Sequence, residues 1–303
     1  MHVVVVGGGV IGLSVAWHLL PHARVTVVDV PKPGAASPAS AGMLAPYAEA
    51  KGSGPLLDLG VASLRMWPAF AKTLGVTLHG PGTLHLTRSA SVSLAGSRES
   101  SPAGRRDAAE PAAETAALPD GTFVAEEKNV DPRELLAALR PHLHIVHEPV
   151  GGDVTVIAKG AWSAPWSFPV RGQLISLRSD AVDTTIYAPG VYLIPRNGHV
   201  IVGSTEEHVG FELGTPAVAE LHAKAAALVP ALRDAEVVDA WCGFRPGSKD
   251  GLPYIGRIDK RTYLATGHFR NGILLAPITG KLLAEMIVTG KTPELLQPCD
   301  PLR

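Results

Sequence analysis

Val3–Val6 is an unbroken run of β-branched apolar residues, the pattern of a strand buried on both faces of a parallel sheet. Gly7–Gly12 interrupts it as a turn. Val10–Leu20 then has helical character and stops at Pro21, whose ring cannot continue a helix. Val25–Val28 repeats the buried-strand pattern and ends at Asp29. Strand, crossover helix and strand within about thirty residues form a βαβ unit. Val3 to Leu20 lacks Asp, Glu, Lys and Arg, but four glycines interrupt it and no basic segment precedes it. It therefore reads as strand, turn and helix rather than as a signal peptide or membrane span.

Residues 31–46, rich in Pro, Gly, Ala and Ser, read as a loop, and Leu56–Leu74 as a helix. Residues 89–118 are biased toward Ala, Ser, Glu and Arg and are expected to form an exposed loop or weak surface helix without a functional role. Asp131–Leu139 has an N-cap residue followed by proline, a helix start. His144–His147 and Val154–Ala158 read as strands. Val170–Leu177, Val191–Pro195 and His199–Gly203 alternate as antiparallel strands do. Ala217–Leu228 is helical, Thr262–Ala265 a short strand, and Pro277–Val288 a closing helix. Parallel elements at both ends with antiparallel strands between them predict an α/β chain, α+β overall. A Rossmann-like domain with a parallel sheet (1–75, 120–166 and 236–303) is interrupted by a smaller antiparallel-sheet domain (76–119 and 167–235).

Composition narrows the function. Hydrophobic residues make up 46% and charged residues 18% of the 303 residues, a globular composition. A net charge of −1 provides no field for nucleic acid or anionic lipid. Cys242 and Cys299 have no metal-type or CxxC spacing and suit a reducing cytoplasm. His142, His144 and His147 lie close together, but no carboxylate or thiol completes a metal set, so no metal is expected.

Gly7, Gly9 and Gly12 fit G-x-G-x-x-G between a predicted strand and helix. The glycines permit a tight turn and close backbone approach to a pyrophosphate, which the helix N-terminus then faces. Asp29, 17 residues beyond Gly12, is placed to hold a ribose hydroxyl pair and would repel a 2′-phosphate. A solvated strand end is the plainer account of Asp29. The motif alone does not separate FAD from NAD.

Further segments do. ASPASAGMLAPY at Ala36–Tyr47, AKGAWS at Ala158–Ser163, WCGFRPGSKDGLPYIG at Trp241–Gly256 and GHFRNGILLAP from Gly267, together with GGGVIG, resemble the D-amino-acid-oxidase-type flavoproteins, most closely the bacterial glycine oxidases. The resemblance runs end to end, strongest in the last two blocks. It departs in residues 89–118 and between His147 and Ala158, where there is room only for a tight connection. The resemblance implies non-covalent FAD. Val10 and Ile11 would lie at the pyrophosphate with Gly7, Gly9 and Gly12, and Asp29 and Val30 at the adenosine ribose. Ala36, Ser37, Ala41, Gly42 and Met43 would follow the ribityl chain. Val150 would meet the adenine, with Gly160 also in the cofactor set. His268, Phe269, Arg270, Asn271, Gly272, Ile273 and Leu274 would line the flavin ring and ribityl chain. The backbone leading into Pro277–Val288 would offer N–H groups and a helix dipole to charge near flavin N1. An ordinary helix-start glycine is the alternative for Gly272.

By the same resemblance, Arg245 and Arg270 would bind substrate, since a guanidinium fork suits a carboxylate, and Tyr192 would add its hydroxyl. Arg245 pairing with Asp250, Arg270 pairing with any acid, and Tyr192 as a packing residue stay open. No side-chain acid or base is assigned to catalysis; His268 is expected as a lining residue. Ser163 and Ser204 carry no nucleophile–base signature. The implied reaction is oxidation of glycine or a related small amine by hydride transfer from Cα to flavin N5. Its products are an imino acid (then glyoxylate and ammonia) and, through dioxygen, hydrogen peroxide; the imine could instead feed thiazole synthesis for thiamine. Alternatives are an oxidase or dehydrogenase for larger D-amino acids, sarcosine or proline, or a silent nucleotide-binding module. A homo-oligomer is expected.

Overall fold

Both N-terminal valine runs become strands of one sheet in the computed structural model, which describes residues 1–49, 52–87 and 121–303; the biased stretch at 89–118 lies outside them. β1 (His2–Val6) and β2 (Arg24–Val28) are joined by α1 (Val10–Leu19). They pair in parallel from His2–Arg24 to Val6–Val28. Val3, Val5 and Val27 are fully buried, which explains the absence of alternation.

The segment expected as a loop at 31–46 is more ordered than its composition suggests. It carries α2 (Ala36–Ala39) and β3 (Met43–Leu44), and α3 (Pro46–Glu49) follows. Tertiary contacts decide this, because Val130 N–H donates to Gly42 O at 2.9 Å. α4 (Pro55–Leu74) presents Leu59, Ser63, Trp67, Phe70 and Ala71 to the core and ends at Gly75, φ 68°, a left-handed cap that glycine adopts without steric cost. β4 (Leu78–His79), β5 (Thr83–Leu86), β6 (Gly121–Val124) and β7 (Lys128–Val130) follow. Asp131 caps α5 (Pro132–Leu139), accepting from Arg133 N–H at 2.8 Å.

β8 (Ile145–Val146) and β9 (Val154–Ile157) are separated only by residues 147–153, the tight connection expected. β10 (Phe168–Arg178), β11 (Thr185–Ala188), β12 (Val191–Arg196) and β13 (His199–Gly203) then lead to α6 (Val218–Leu228). β14 (Val237–Gly247), β15 (Tyr254–Arg257), β16 (Thr262–Thr266) and α7 (Ala276–Thr289) complete the described chain.

The described residues build three sheets. The first has the order β15-β16-β9-β1-β2-β8, parallel except for β15. Its apolar core joins α1, α4 and α7 to the strands. Ser14 Oγ donates to Ala276 O at 2.7 Å, tying α1 to the start of α7. The second sheet, β14-β10-β13-β12-β11-β5-β6, is antiparallel apart from the β5–β11 pair, and α6 closes its own core with Leu221, Ala225 and Leu228. A small β3-β7-β4 sheet lies beside these.

β6 and β14 fall within 120–166 and 236–303, segments expected to belong with the parallel sheet. Both are strands of the second sheet instead, β14 pairing with β10 from Phe168–Gly247 to Leu177–Val237. β14 was not legible as a strand because Gly243, Pro246 and Gly247 break its apolar alternation. Its length lets it carry Arg245 from the second sheet toward the face of the first.

Candidate active site

The glycine turn after β1 is built by contact. A Cβ on Gly7 (φ 122°) would lie 2.3 Å from Ala158 O, and one on Gly12 1.9 Å from Gly7 O. Gly8, which the motif leaves free, is equally constrained, since a Cβ there would lie 2.1 Å from Asp29 Cγ. The close approach lets Gly8 N–H donate to Asp29 Oδ1 at 3.1 Å. Arg140 pairs with Asp29 Oδ2 at 2.5 Å, a partner sequence reasoning did not supply. No side chain caps α1 at Gly9. Val10 N–H donates to Ser37 Oγ at 3.0 Å, leaving the remaining first-turn N–H groups for an anion.

Val30 and Val150 are exposed near this end. The connection bearing Val150 is held beside Asp29 by His147, whose Nδ1 lies 2.8 Å from Asp29 O. Gly160 (φ 55°) serves as an anchor, its carbonyl accepting from Ser167 Oγ at 2.8 Å and Thr266 Oγ1 at 2.9 Å. Asp29, Val30, Val150, Gly160 and the glycines Gly7, Gly9 and Gly12 are not in the wall of the main cleft.

That cleft, about 940 Å³ counting its open mouth, starts at Val10 and Ile11. Ala36, Ser37, Ala41, Gly42 and Met43 line one side, Tyr192 and Arg245 another, and the turn His268–Ile273 a third. The structure thus gathers residues predicted from five separate stretches. Leu274 lies behind the wall, its carbonyl accepting from Ser63 Oγ at 2.6 Å and Trp67 Nε1 at 2.9 Å.

Arg245 projects from β14 over Gly172 of β10, where a Cβ would lie 2.1 Å from the guanidinium. It donates to Ser204 Oγ at 2.6 Å and Thr205 O at 3.0 Å. Among the described residues no carboxylate pairs with it; Asp250 pairs with Arg303 at 2.7 Å instead. Burial, helped by the like charge of Arg270, holds Arg245 below the usual guanidinium range. Tyr192, buried, lies against Gly203, where a Cβ would sit 2.5 Å from its hydroxyl.

Arg270 does not stand free as a second carboxylate receptor, which departs from the expectation drawn for it. Its Nε pairs with Glu49 at 2.7 Å, and Glu206 lies 3.7 Å from Nη1. Burial is the largest single influence and opposes its charge, but Glu49 together with Tyr192 and Tyr187 outweighs it and raises Arg270 above the usual range. Glu49 was missed because nothing in its local sequence sets it apart; α3 folding onto the 269–271 turn brings it there.

His268 is fully buried, with Nε2 3.1 Å from Thr279 Oγ1. Burial pushes its pKa down to about 3, so it stays neutral and makes a poor proton acceptor. Phe269 takes a left-handed φ of 47°, uncommon outside glycine, and turns the backbone between His268 and α7. Gly272 has an ordinary helical φ of −57°, and a Cβ there would meet no protein atom closer than 4.0 Å. Protein packing therefore does not require glycine here, and Gly272 lines the cleft.

These features fit an FAD: a helix start lacking a side-chain cap, a carboxylate at the second strand end, and a glycine wall open toward the cleft. The fold and cleft define an FAD-dependent oxidoreductase. The family of FAD-dependent oxidoreductases of the DAO type matches residues 2–286, and the chain belongs to it.

Among its relatives, the chain is 29% identical to glycine oxidase of Geobacillus kaustophilus, the match covering 98% of this chain and 95% of that one. It is 31% identical to the bifunctional protein ThiO/ThiG of Synechocystis across 99% of this chain, but spans only 54% of that protein. The crystal structure of the Geobacillus kaustophilus glycine oxidase superposes with a TM-score of 0.83 at 28% identity, covering 99% of this chain and 98% of that one.

Proposed function

We propose that the chain oxidises glycine or a similarly small amino acid, holding the substrate carboxylate on Arg245. The observation that carries this is a largely desolvated guanidinium in the cleft wall, without a carboxylate partner among the described residues. A buried cation lacking a counter-ion is costly, and an anionic ligand removes that cost. Ser204 Oγ and Thr205 O orient the fork, and the Tyr192 hydroxyl adds a donor from β12 of the same sheet. FAD, when bound, supplies a two-electron acceptor for the substrate Cα–H and is returned to its oxidised form by dioxygen. Val10, Ile11, Ala36, Ser37 and the 268–273 turn would hold it.

Neutral His268 offers no effective base near neutral pH, and Glu49 is committed to Arg270. On this reading the substrate amine arrives unprotonated, its proton lost to solvent. Met43, Leu174 and Ile273 in the wall exclude water from the reacting carbon. The overall balance takes glycine, dioxygen and water to glyoxylate, ammonia and hydrogen peroxide. By the resemblance to the glycine oxidases, the same imine would feed thiazole synthesis for thiamine.

Glycine, sarcosine and D-amino acids, assayed under air and with an artificial acceptor, test the reading. Arg245→Ala should lower kcat/KM by about a thousandfold, as for losing a charge-assisted carboxylate contact of roughly 4 kcal/mol, while flavin stays bound. Unchanged kinetics would remove Arg245 from the reaction.

A further inference from the structure

The two cleft arginines differ in one respect that bears on which substrates the site admits. Arg245 hydrogen-bonds only neutral oxygens, whereas Arg270 is already matched to Glu49 at 2.7 Å, with Glu206 3.7 Å away. We infer that Glu49 is a specificity-determining residue that neutralises Arg270 and restricts the site to substrates bearing one carboxylate. The inference rests on the reading of Arg245 given above and extends it to the neighbouring arginine.

The argument runs through desolvation. The Glu49 side chain is 11% exposed and that of Arg270 20%, so both charges have surrendered most of their hydration. A second substrate carboxylate reaching Arg270 would have to displace Glu49, leaving a poorly hydrated carboxylate without a partner, or approach two acids across a low-dielectric cleft. Either is strongly disfavoured.

Glu49 is also held in place. Tyr47 N–H, two residues earlier on α3, donates to Glu127 Oε1 at 3.2 Å, and Glu127, itself fully buried, meets His85 Nε2 at 2.6 Å. The anchor fixes the start of the helix that delivers the carboxylate. Glu206 is the weaker contributor, being 48% exposed and farther from the guanidinium.

Acetate and malonate, which carry no amine to oxidise, separate one carboxylate from two. Their binding to the purified, flavin-loaded protein is read by calorimetry and by the perturbation of the bound flavin's absorbance. The wild-type protein should prefer acetate over malonate. Glu49→Gln, which keeps the side-chain length, should shift the affinity ratio toward malonate by about tenfold or more. Glu49→Asp should shift it less in the same direction. Adding Arg270→Gln to Glu49→Gln should abolish the gain, a result that a merely structural role for Glu49 would not produce. Glu206→Gln should move the ratio by less than about threefold.

A ratio unchanged in both Glu49 variants overturns the inference and leaves the Arg245 reading standing. Failure of the wild-type protein to bind either acid, with Arg245→Ala making no difference, overturns both.

Discussion

At the nucleotide end, Gly7, Gly8, Gly12 and Asp29 belong to one βαβ unit, and each is constrained by a neighbour in that unit or on the adjoining strand. At the proposed substrate end, Arg245 comes from β14, Tyr192 from β12, Glu49 from α3 and Arg270 from the turn before α7. The first is a backbone device whose chemistry depends on the absence of side chains. The second is a balance of charges that forms only when both sheets are assembled. A short motif can therefore specify a backbone cradle, but it cannot specify which of two arginines is left without a carboxylate partner.

Substitutions sharpen this contrast. The largest effect is expected for Gly12→Val, because a Cβ there falls 1.9 Å from Gly7 O and backbone cannot yield as a side-chain tip can. The variant should lose bound flavin and much of its folded yield, followed by circular dichroism and flavin content; full flavin occupancy would show that the turn tolerates bulk.

Asp29→Ala should leave the substrate end intact and weaken FAD retention by roughly tenfold, the scale of a lost hydrogen-bonding carboxylate. Dialysis followed by flavin quantification checks this, and wild-type retention would argue that Asp29 serves only its protein partners, Arg140 and the Gly8 N–H.

The effect confined to stability, with no loss of bound flavin, concerns His268. Its pKa is pushed down to about 3 from 6.5 by burial. Between those values the unfolded chain binds more protons than the folded one, so stability falls as pH drops through this window, by up to about 1.4 kcal/mol per pH unit. His268→Gln should remove that component of the slope. Urea midpoints at about pH 6.5 and pH 4.5 measure it, and an unaltered slope would assign the acid sensitivity to other groups.

Legibility followed the same division. The valine runs declared β1 and β2 because strands buried on both faces need no alternation, and α4 and α5 announced themselves through periodicity and capping. β14 was hidden by its glycines and proline, although those small residues accompany its passage close to β10 and α2. Arg245, Arg270 and Tyr192 entered through a likeness to known flavoproteins, and the structure places all three in one cleft. Glu49, Ser204, Gly172 and Gly203 carried no local signal. Glu49 matters through a partner 221 positions away (270 − 49), and Gly172 through a guanidinium on the adjacent strand.

Local sequence settled the phosphate-facing turn and most of the helices and buried strands, since backbone sterics and hydrophobic periodicity act over a few residues. Only the packed molecule decided which charges are paired and which are free, because Coulomb and desolvation energies depend on distance and burial in space rather than on separation along the chain.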